Sequence, residues 1–303
     1  PPAVVERAVS GAVAAFAGIK RAAYPGHERI AVLERVARRL SEAREGIATT
    51  LSTEAGKPIA LARTEVDRAV ATFEEAAVAA RTALGGEILP LSVSAAAADR
   101  VGISRRFPRG VVSAITPFNF PINLVAHKVA PAIAAGCPLV LKPAPQAPLS
   151  AFALGEICLE AGLRPGFLQI VYCDHLVATP LVEDPRIALL SFTGSARVGW
   201  ALKARAGRKR VVLELGGNGA VIVQDCADIE AVGQRIAVAA NAYAGQTCIS
   251  VQRILVRREL QQELRVALGD AMRTLPAGDP ALPETVIGPV IDDAAANRIE
   301  TWV

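Results

Sequence analysis

The sequence predicts an α/β fold built on a Rossmann-like parallel sheet, and three observations carry that expectation. From Val111 to Leu215, short β-branched runs alternate with helix-length segments, the texture of right-handed βαβ units. The chain is 52% hydrophobic but only 4% aromatic, so its interior is mostly Ala, Val, Leu and Ile, which suits strands covered on both faces. Its 303 residues suffice for about two domains with sizeable cores.

Taken in order, the first element is an amphipathic helix over 27–55. Ile30, Leu33, Ala37, Leu40, Ile47 and Leu51 recur at helical spacing, and Gly56 and Pro58 end it. A second helix follows, with Ile59, Ala62, Val66, Ala69, Phe73 and Ala77 on one stripe, until Gly85 and Gly86 break the pattern. Residues 86–109 read as two short, exposed strands around an Ala-rich turn. The alternation then runs VVSAI, helix 122–135, PLVLK, helix 148–161, LQIVY, a short helix near 175–183, IALLSF, helix 195–206, and VVLEL. Beyond it come AVIV at 220–223, a helix over 228–243 that Gly245 terminates, a strand at 249–256, and a helix over 258–274.

Composition narrows the function classes. Lys and Arg number 33 against 29 Asp and Glu, a net charge of +4. The basic runs at Arg35, Arg38 and Arg39 and at 203–210 lack interleaved aromatics, so they read as solvated helix faces rather than nucleic-acid contacts. The five cysteines are scattered without a CxxC pair, and the three histidines share no metal-ligand spacing with them. Reduced thiols in a cytoplasmic setting and no metal are the expectation. No uninterrupted apolar run is long enough to span a bilayer and no leader opens the chain, so no membrane is expected.

Five polar features gather at the carboxyl edge of the predicted sheet, where open α/β sheets bind ligands. Cys248, in GQTC, lies between a helix and a strand, on a loop able to expose its sulfur. Glu214 sits near the end of VVLEL, a pattern of a buried strand; a carboxylate there is costly unless paired or functional. Asn119, in TPFNFP just beyond VVSAI, either makes the turn before Pro121 or donates to a developing oxyanion. Lys142 ends the next strand and either faces solvent or meets a phosphate and ribose. Gly194 and Ser195 open a helix directly after IALLSF; its N–H groups suit a phosphate, and a plain helix cap explains Ser195 equally well. There is no GxGxxG.

In order and spacing TPFNFP, VLKPA, SFTGS, VVLELGG and GQTC resemble the aldehyde dehydrogenase superfamily, over nearly the whole chain. Around FNFPINLVAHK the local texture is similar to its bacterial lactaldehyde and non-phosphorylating glyceraldehyde-3-phosphate group. The resemblance implies a nucleotide-binding domain at 1–85 and 110–216, an oligomerisation hairpin at 86–109, and a catalytic domain at 217–303 that is incomplete at its C-terminus. It implies Cys248 as nucleophile, Glu214 as general base and Asn119 in the oxyanion hole. NAD or NADP would meet Thr116, Phe118, Lys142, Gly194, Ser195, Val198, Leu215 and Gly216. Leu124, His127 and Thr247 would line the tunnel of a small aldehyde. The full-length protein would be a homodimer or homotetramer. The presence of Glu214 argues against the coenzyme A-acylating members.

Departures from the family pattern qualify these implications. Pro145 stands where a carboxylate or small polar residue usually follows the lysine, which leaves NADP open. Phe118 replaces a common Trp. CDHLVATPLVEDPR lacks a glycine often found near the pyrophosphate. The downstream carboxylate motif for the nicotinamide ribose is absent before Val303. The alternatives are an incomplete or non-catalytic chain that binds nucleotide without turnover, and a thiol esterase with no cofactor.

Overall fold

The computed structural model describes residues 2–21, 24–83, 85–225 and 228–302. Cys226 and Val303 lie outside the described residues. Four helices open the chain: α1 (Pro2–Arg21), α2 (Gly26–Glu42), α3 (Arg44–Ala55) and α4 (Ile59–Ala83). The stretch read as one helix over 27–55 is therefore two, broken at Ala43. The Ala43 N–H still reaches the Arg39 carbonyl at 2.9 Å and its carbonyl accepts from Ile47 at 3.0 Å. The apolar stripe thus runs on through the break, and periodicity cannot see it. Helix α1 lies outside what periodicity predicts. Val5, Ala8, Val9 and Ala12 form its buried line, but Val4 and Val13 beside them blur the contrast. Its Pro2–Ile19 stretch is long and apolar enough to cross a membrane, with mean hydropathy 1.3. Here its buried line packs on the sheet with Val111, Val140 and Ile187.

Strands β1 (Glu87–Leu89) and β2 (Gly102–Ser104) pair antiparallel and leave Ile88, Val93, Val101, Ile103 and Phe107 exposed. The alternating region then forms β3 (Val111–Ile115), α5 (Asn123–Ala135), β4 (Leu139–Lys142), α6 (Leu149–Glu160), β5 (Leu168–Ile170), α7 (Thr179–Glu183), β6 (Ile187–Gly194), α8 (Ala196–Arg205) and β7 (Arg210–Leu215). All five strands are parallel, in the order β5-β4-β3-β6-β7. The pleat divides the core. Leu139, Leu141 and Ala114 pack with α2 to α6, while Val140 and Val111 face α1 and α7. The first basic run falls on α2, where Arg35 donates to the Ala161 carbonyl at 2.8 Å and Arg39 pairs with Glu160; of the second, Lys203 and Arg205 close α8, Arg208 and Lys209 lie in the turn after it, and Arg210 begins β7.

The last region comprises β8 (Gly219–Val223), α9 (Ile229–Asn241), β9 (Val251–Val256), α10 (Gln261–Thr274) and α11 (Asp293–Trp302). Strands β8 and β9 pair parallel, with Ile222 and Leu255 exposed. One expectation about β7 is overturned. Among the described residues VVLEL is an edge strand whose residues alternate between exposed and half-buried, so its apolar composition does not by itself mean burial.

Candidate active site

The strand order reverses between β3 and β6: β4 and β5 extend the sheet one way and β6 and β7 the other. At such a switch point the loops leaving the carboxyl ends part and open a crevice. A cavity of about 590 Å³ lies there, lined by Thr116, Phe118, Lys142, Gly194, Ser195 and Val198 among others. Six residues singled out in the sequence thus share one crevice. Pro145, Gln146, His175 and Arg197 also line it.

Lys142 is only 3% exposed, so of its two readings the solvent-facing one fails. Its Nζ donates to the Pro143 carbonyl at a long 3.4 Å. Burial lowers its pKa, and Cys173 and Asp174 oppose that shift. The Thr116 hydroxyl is buried with no hydrogen-bond partner among the described residues. Ser195 caps α8, its Oγ accepting from the Val198 N–H at 3.4 Å. Gly199 has a packing role. A Cβ there would lie 2.5 Å from Cδ2 of Leu215, so glycine lets α8 lie close against β7. Leu215 is half-buried at that contact, and Gly216 is exposed.

Cys248 is exposed on the loop before β9; Cys137 and Cys158 are buried and Cys173 is half-buried. Gly245 does not terminate α9, which ends at Asn241. Tyr243 and Ala244 then turn the chain with φ of 55° and 53°, a left-handed conformation that costs non-glycine residues of order 1–3 kcal/mol each. Gly245 continues it at φ 69°. Tyr243 is held there by burial, by its N–H to the Val286 carbonyl (2.9 Å) and by its hydroxyl to the Ala55 carbonyl (3.1 Å).

Asn119 reaches this loop directly: its Nδ2 donates to the Gln246 carbonyl at 2.7 Å. One amide hydrogen is used, which leaves the second available. Gln246 is itself fixed, its Oε1 accepting from the Ile291 N–H at 2.9 Å. The segment after β7 approaches this loop as well. A Cβ on Gly217, three residues after Glu214, would stand 3.4 Å from the Cys248 carbonyl oxygen. Glu214 is exposed, so no burial penalty demands a partner for it.

Three ionisable groups were not singled out in the sequence: Lys128, whose charge interacts with Glu214, and the pair Lys57 and Glu65, which meets the Asn119 carbonyl. Lys128, on α5, is 7% exposed and donates to Ser191 Oγ at 2.9 Å. Burial brings its pKa down to about 8, against the pull of Glu214. The neighbouring His127 is lowered by burial and by the charges of Arg68 and Lys128, with Glu214 opposing. Lys57 and Glu65 form a fully buried ion pair at 2.5 Å. The legible signal was a charge beside a buried stripe: Glu65 next to Val66 on α4, and Lys128 next to Val129 on α5.

A family model described as the aldehyde dehydrogenase family matches residues 2–303. The 3-sulfolactaldehyde dehydrogenase of Priestia megaterium is 40% identical over 296 residues, which cover 97% of this chain and 62% of that protein. The crystal structure of aldehyde dehydrogenase 21 from Physcomitrella patens, in complex with the reaction product succinate, superposes with a TM-score of 0.92 at 43% identity, covering 100% of this chain and 63% of that one. The NADP complex of glyceraldehyde-3-phosphate dehydrogenase GapN from Methanocaldococcus jannaschii gives a TM-score of 0.90 at 34% identity, over 98% and 64% of the two chains. The chain thus spans somewhat under two thirds of the length of these relatives.

Proposed function

The chain belongs to the aldehyde dehydrogenase family, and from that premise we propose that it oxidises a small aldehyde to a carboxylic acid through a thioester on Cys248, with NAD or NADP as acceptor. The observation that carries this reading is the 2.7 Å bond from the Asn119 amide to the loop of the exposed Cys248. It joins an oxyanion donor to a nucleophile.

The residues of the crevice fit a nicotinamide dinucleotide. A buried lysine with one long hydrogen bond and a buried, unpartnered threonine hydroxyl are groups that ribose hydroxyls or phosphates would satisfy. The N-terminus of α8, opened by Gly194 and Ser195, adds N–H donors for the pyrophosphate. Leu215 and Gly216 would border the nicotinamide end. The chemistry supplied by the bound dinucleotide is acceptance of the aldehyde hydrogen together with its electron pair.

The protein's own groups do the rest. The Cys248 thiolate adds to the aldehyde carbon, and the carbonyl π pair moves onto oxygen. Asn119 Nδ2 and the Cys248 N–H hold that oxygen while negative charge develops on it. Once the carbon has been oxidised, the acyl group remains on Sγ. Glu214 then takes a proton from water, the hydroxyl adds to the thioester carbon, and the C–S bond breaks to return the thiolate and release the acid. The exposed position of Glu214 gives water access to it.

The substrate class we infer is a small aldehyde carrying an anionic group. Arg68 is exposed on α4, and its charge acts on His127 of α5, the position where an aldehyde tunnel would run. The named relatives act on sulfolactaldehyde or glyceraldehyde 3-phosphate, or hold succinate; each of these ligands is anionic. The exposed apolar face of β1 and β2 would serve subunit assembly. The domain division at 85, 110 and 216 is part of this reading.

The test uses the natural protein with a panel of anionic and neutral small aldehydes and each dinucleotide, following reduced cofactor. Turnover should favour the anionic aldehydes, and Cys248→Ala should lose at least about a thousandfold while still binding cofactor. Cofactor binding without turnover on any aldehyde would favour the non-catalytic alternative. Retention of a tenth of the activity by Cys248→Ala would overturn the nucleophile assignment.

A further inference from the structure

Lys57 is 0% exposed and Glu65 1%. A buried ion pair is weak evidence of stabilisation, because well-packed apolar residues often do as well. What the pair touches suggests a different role. Lys57 Nζ donates to Glu65 Oε2 at 2.5 Å and to the Asn119 carbonyl at 2.8 Å, and it lies 3.7 Å from the centroid of the Phe120 ring. The Tyr243 ring, at 4.9 Å, lies close to the same ammonium. The other oxygen of Glu65 accepts from the N–H groups of Ile122 and Asn123, at 2.9 and 3.0 Å, where α5 begins.

These contacts close a ring. Lys57 holds the Asn119 backbone; the Asn119 side chain holds the Gln246 carbonyl; the Gln246 N–H bonds the Tyr243 carbonyl at 3.1 Å; and the Tyr243 ring returns to Lys57. Cys248 lies two residues beyond Gln246. The left-handed turn at Tyr243 and Ala244 is the strained arc of the ring, and strain of this kind persists only where the surroundings over-determine it. Burial lowers the pKa of Lys57, while the charge and hydrogen bond of Glu65 oppose that shift.

We propose that Lys57, held by Glu65, is a positioning residue for the thiol chemistry: its buried ammonium fixes the spacing between the Asn119 amide and the Cys248 loop. This rests on the roles proposed above for Cys248 and Asn119. A displacement of about 1 Å at a reacting centre can cost on the order of a hundredfold in rate, so the signature is a loss of turnover in a protein that still folds and binds cofactor.

The test is the double variant Lys57→Met/Glu65→Gln in the natural protein. It removes both charges together, so no unpaired charge remains buried, and glutamine keeps an oxygen for Ile122 and Asn123. Turnover is expressed per alkylatable Cys248 thiol, alongside KM, the dissociation constant of NADPH and the melting temperature. Turnover per thiol should fall at least about thirtyfold, with KM and NADPH affinity within about threefold of wild type. A purely structural pair would lower the melting temperature and leave turnover per folded thiol unchanged; turnover within about threefold of wild type therefore overturns the proposal. If the double variant does not accumulate as folded protein, Tyr243→Leu, which removes the ring facing the ammonium, is judged by the same criteria. Cys248→Ala is assayed in parallel. If it stays active, the thiol reading itself fails and this proposal with it. If it is inactive while the double variant turns over normally, only the positioning role is lost.

Discussion

The side-chain amide of Asn119 donates to the Gln246 carbonyl at 2.7 Å, two residues before Cys248. The amide proposed to stabilise an oxyanion is therefore also a structural bond to the Cys248 loop. Asn119→Ala removes both functions. Turnover should fall by about 10²–10³-fold, the range for loss of one oxyanion donor, and alkylation of Cys248 by iodoacetamide should change in rate because its loop loses an anchor. An unchanged alkylation rate beside a large loss of turnover would assign Asn119 to the oxyanion alone.

Glu214 is exposed at the end of an edge strand, well placed to meet water. If its role is to activate the hydrolytic water, Glu214→Gln should slow deacylation more than acylation. A rapid first turnover of reduced cofactor should survive while the steady state drops by roughly 10²–10⁴-fold, the usual contribution of a general base. Stopped-flow absorbance separates the two phases. Equal loss of both would mean that the carboxylate activates the thiol instead.

Much of this was legible in the sequence, because its logic is local. A β-branched run followed by a helix-length segment defines a βαβ unit wherever it occurs, so β3 to β7 and the placing of Lys142 and Ser195 at one sheet edge could be read from spacing, whereas Thr116 entered only through the family resemblance. The buried appearance of VVLEL misled, since strand composition does not report whether a neighbour exists; β7 has β6 on one side and is an edge on the other. Glu65 left a signal beside Val66, but its pairing with Lys57 and what that pair holds were illegible for a related reason. The pair's partners, Asn119 and Tyr243, are distant along the chain, and only the packing of α4 against α5 and the thiol loop brings them together.

Pro145 borders the crevice beside Lys142 and Gln146 and offers no carboxylate to repel a 2′-phosphate. The protein should bind NADPH at least as tightly as NADH. Pro145→Glu should shift the ratio toward NADH by about tenfold or more, the equivalent of ~1.4 kcal/mol or more. Titration of cofactor fluorescence measures this without turnover. A native preference for NADH that Pro145→Glu leaves unchanged would place the discrimination elsewhere in the crevice, for which Arg197 and His175 are the candidates.

Lys128 gives a prediction in pH. Burial brings its pKa down to about 8 from the ordinary value of 10.5, with Glu214 pulling the other way. An unfolded lysine keeps the ordinary value. Between the two values the unfolded chain binds a proton that the folded chain has released, so stability rises with pH in that window. Below about 8 both states carry the proton and the group contributes no slope. Met at position 128 keeps much of the volume and removes the titration. The stability of wild type relative to Lys128→Met should therefore be flat below the folded pKa and climb above it, by no more than ~1.4 kcal/mol per pH unit. Urea unfolding of both proteins from about pH 7 to about pH 10 measures the difference, and other titrating groups common to both cancel in it. A difference that stays flat up to the ordinary lysine value would mean that the Ser191 hydroxyl and Glu214 together hold the ammonium charged, and that the lysine beside the proposed base remains a cation across the working range.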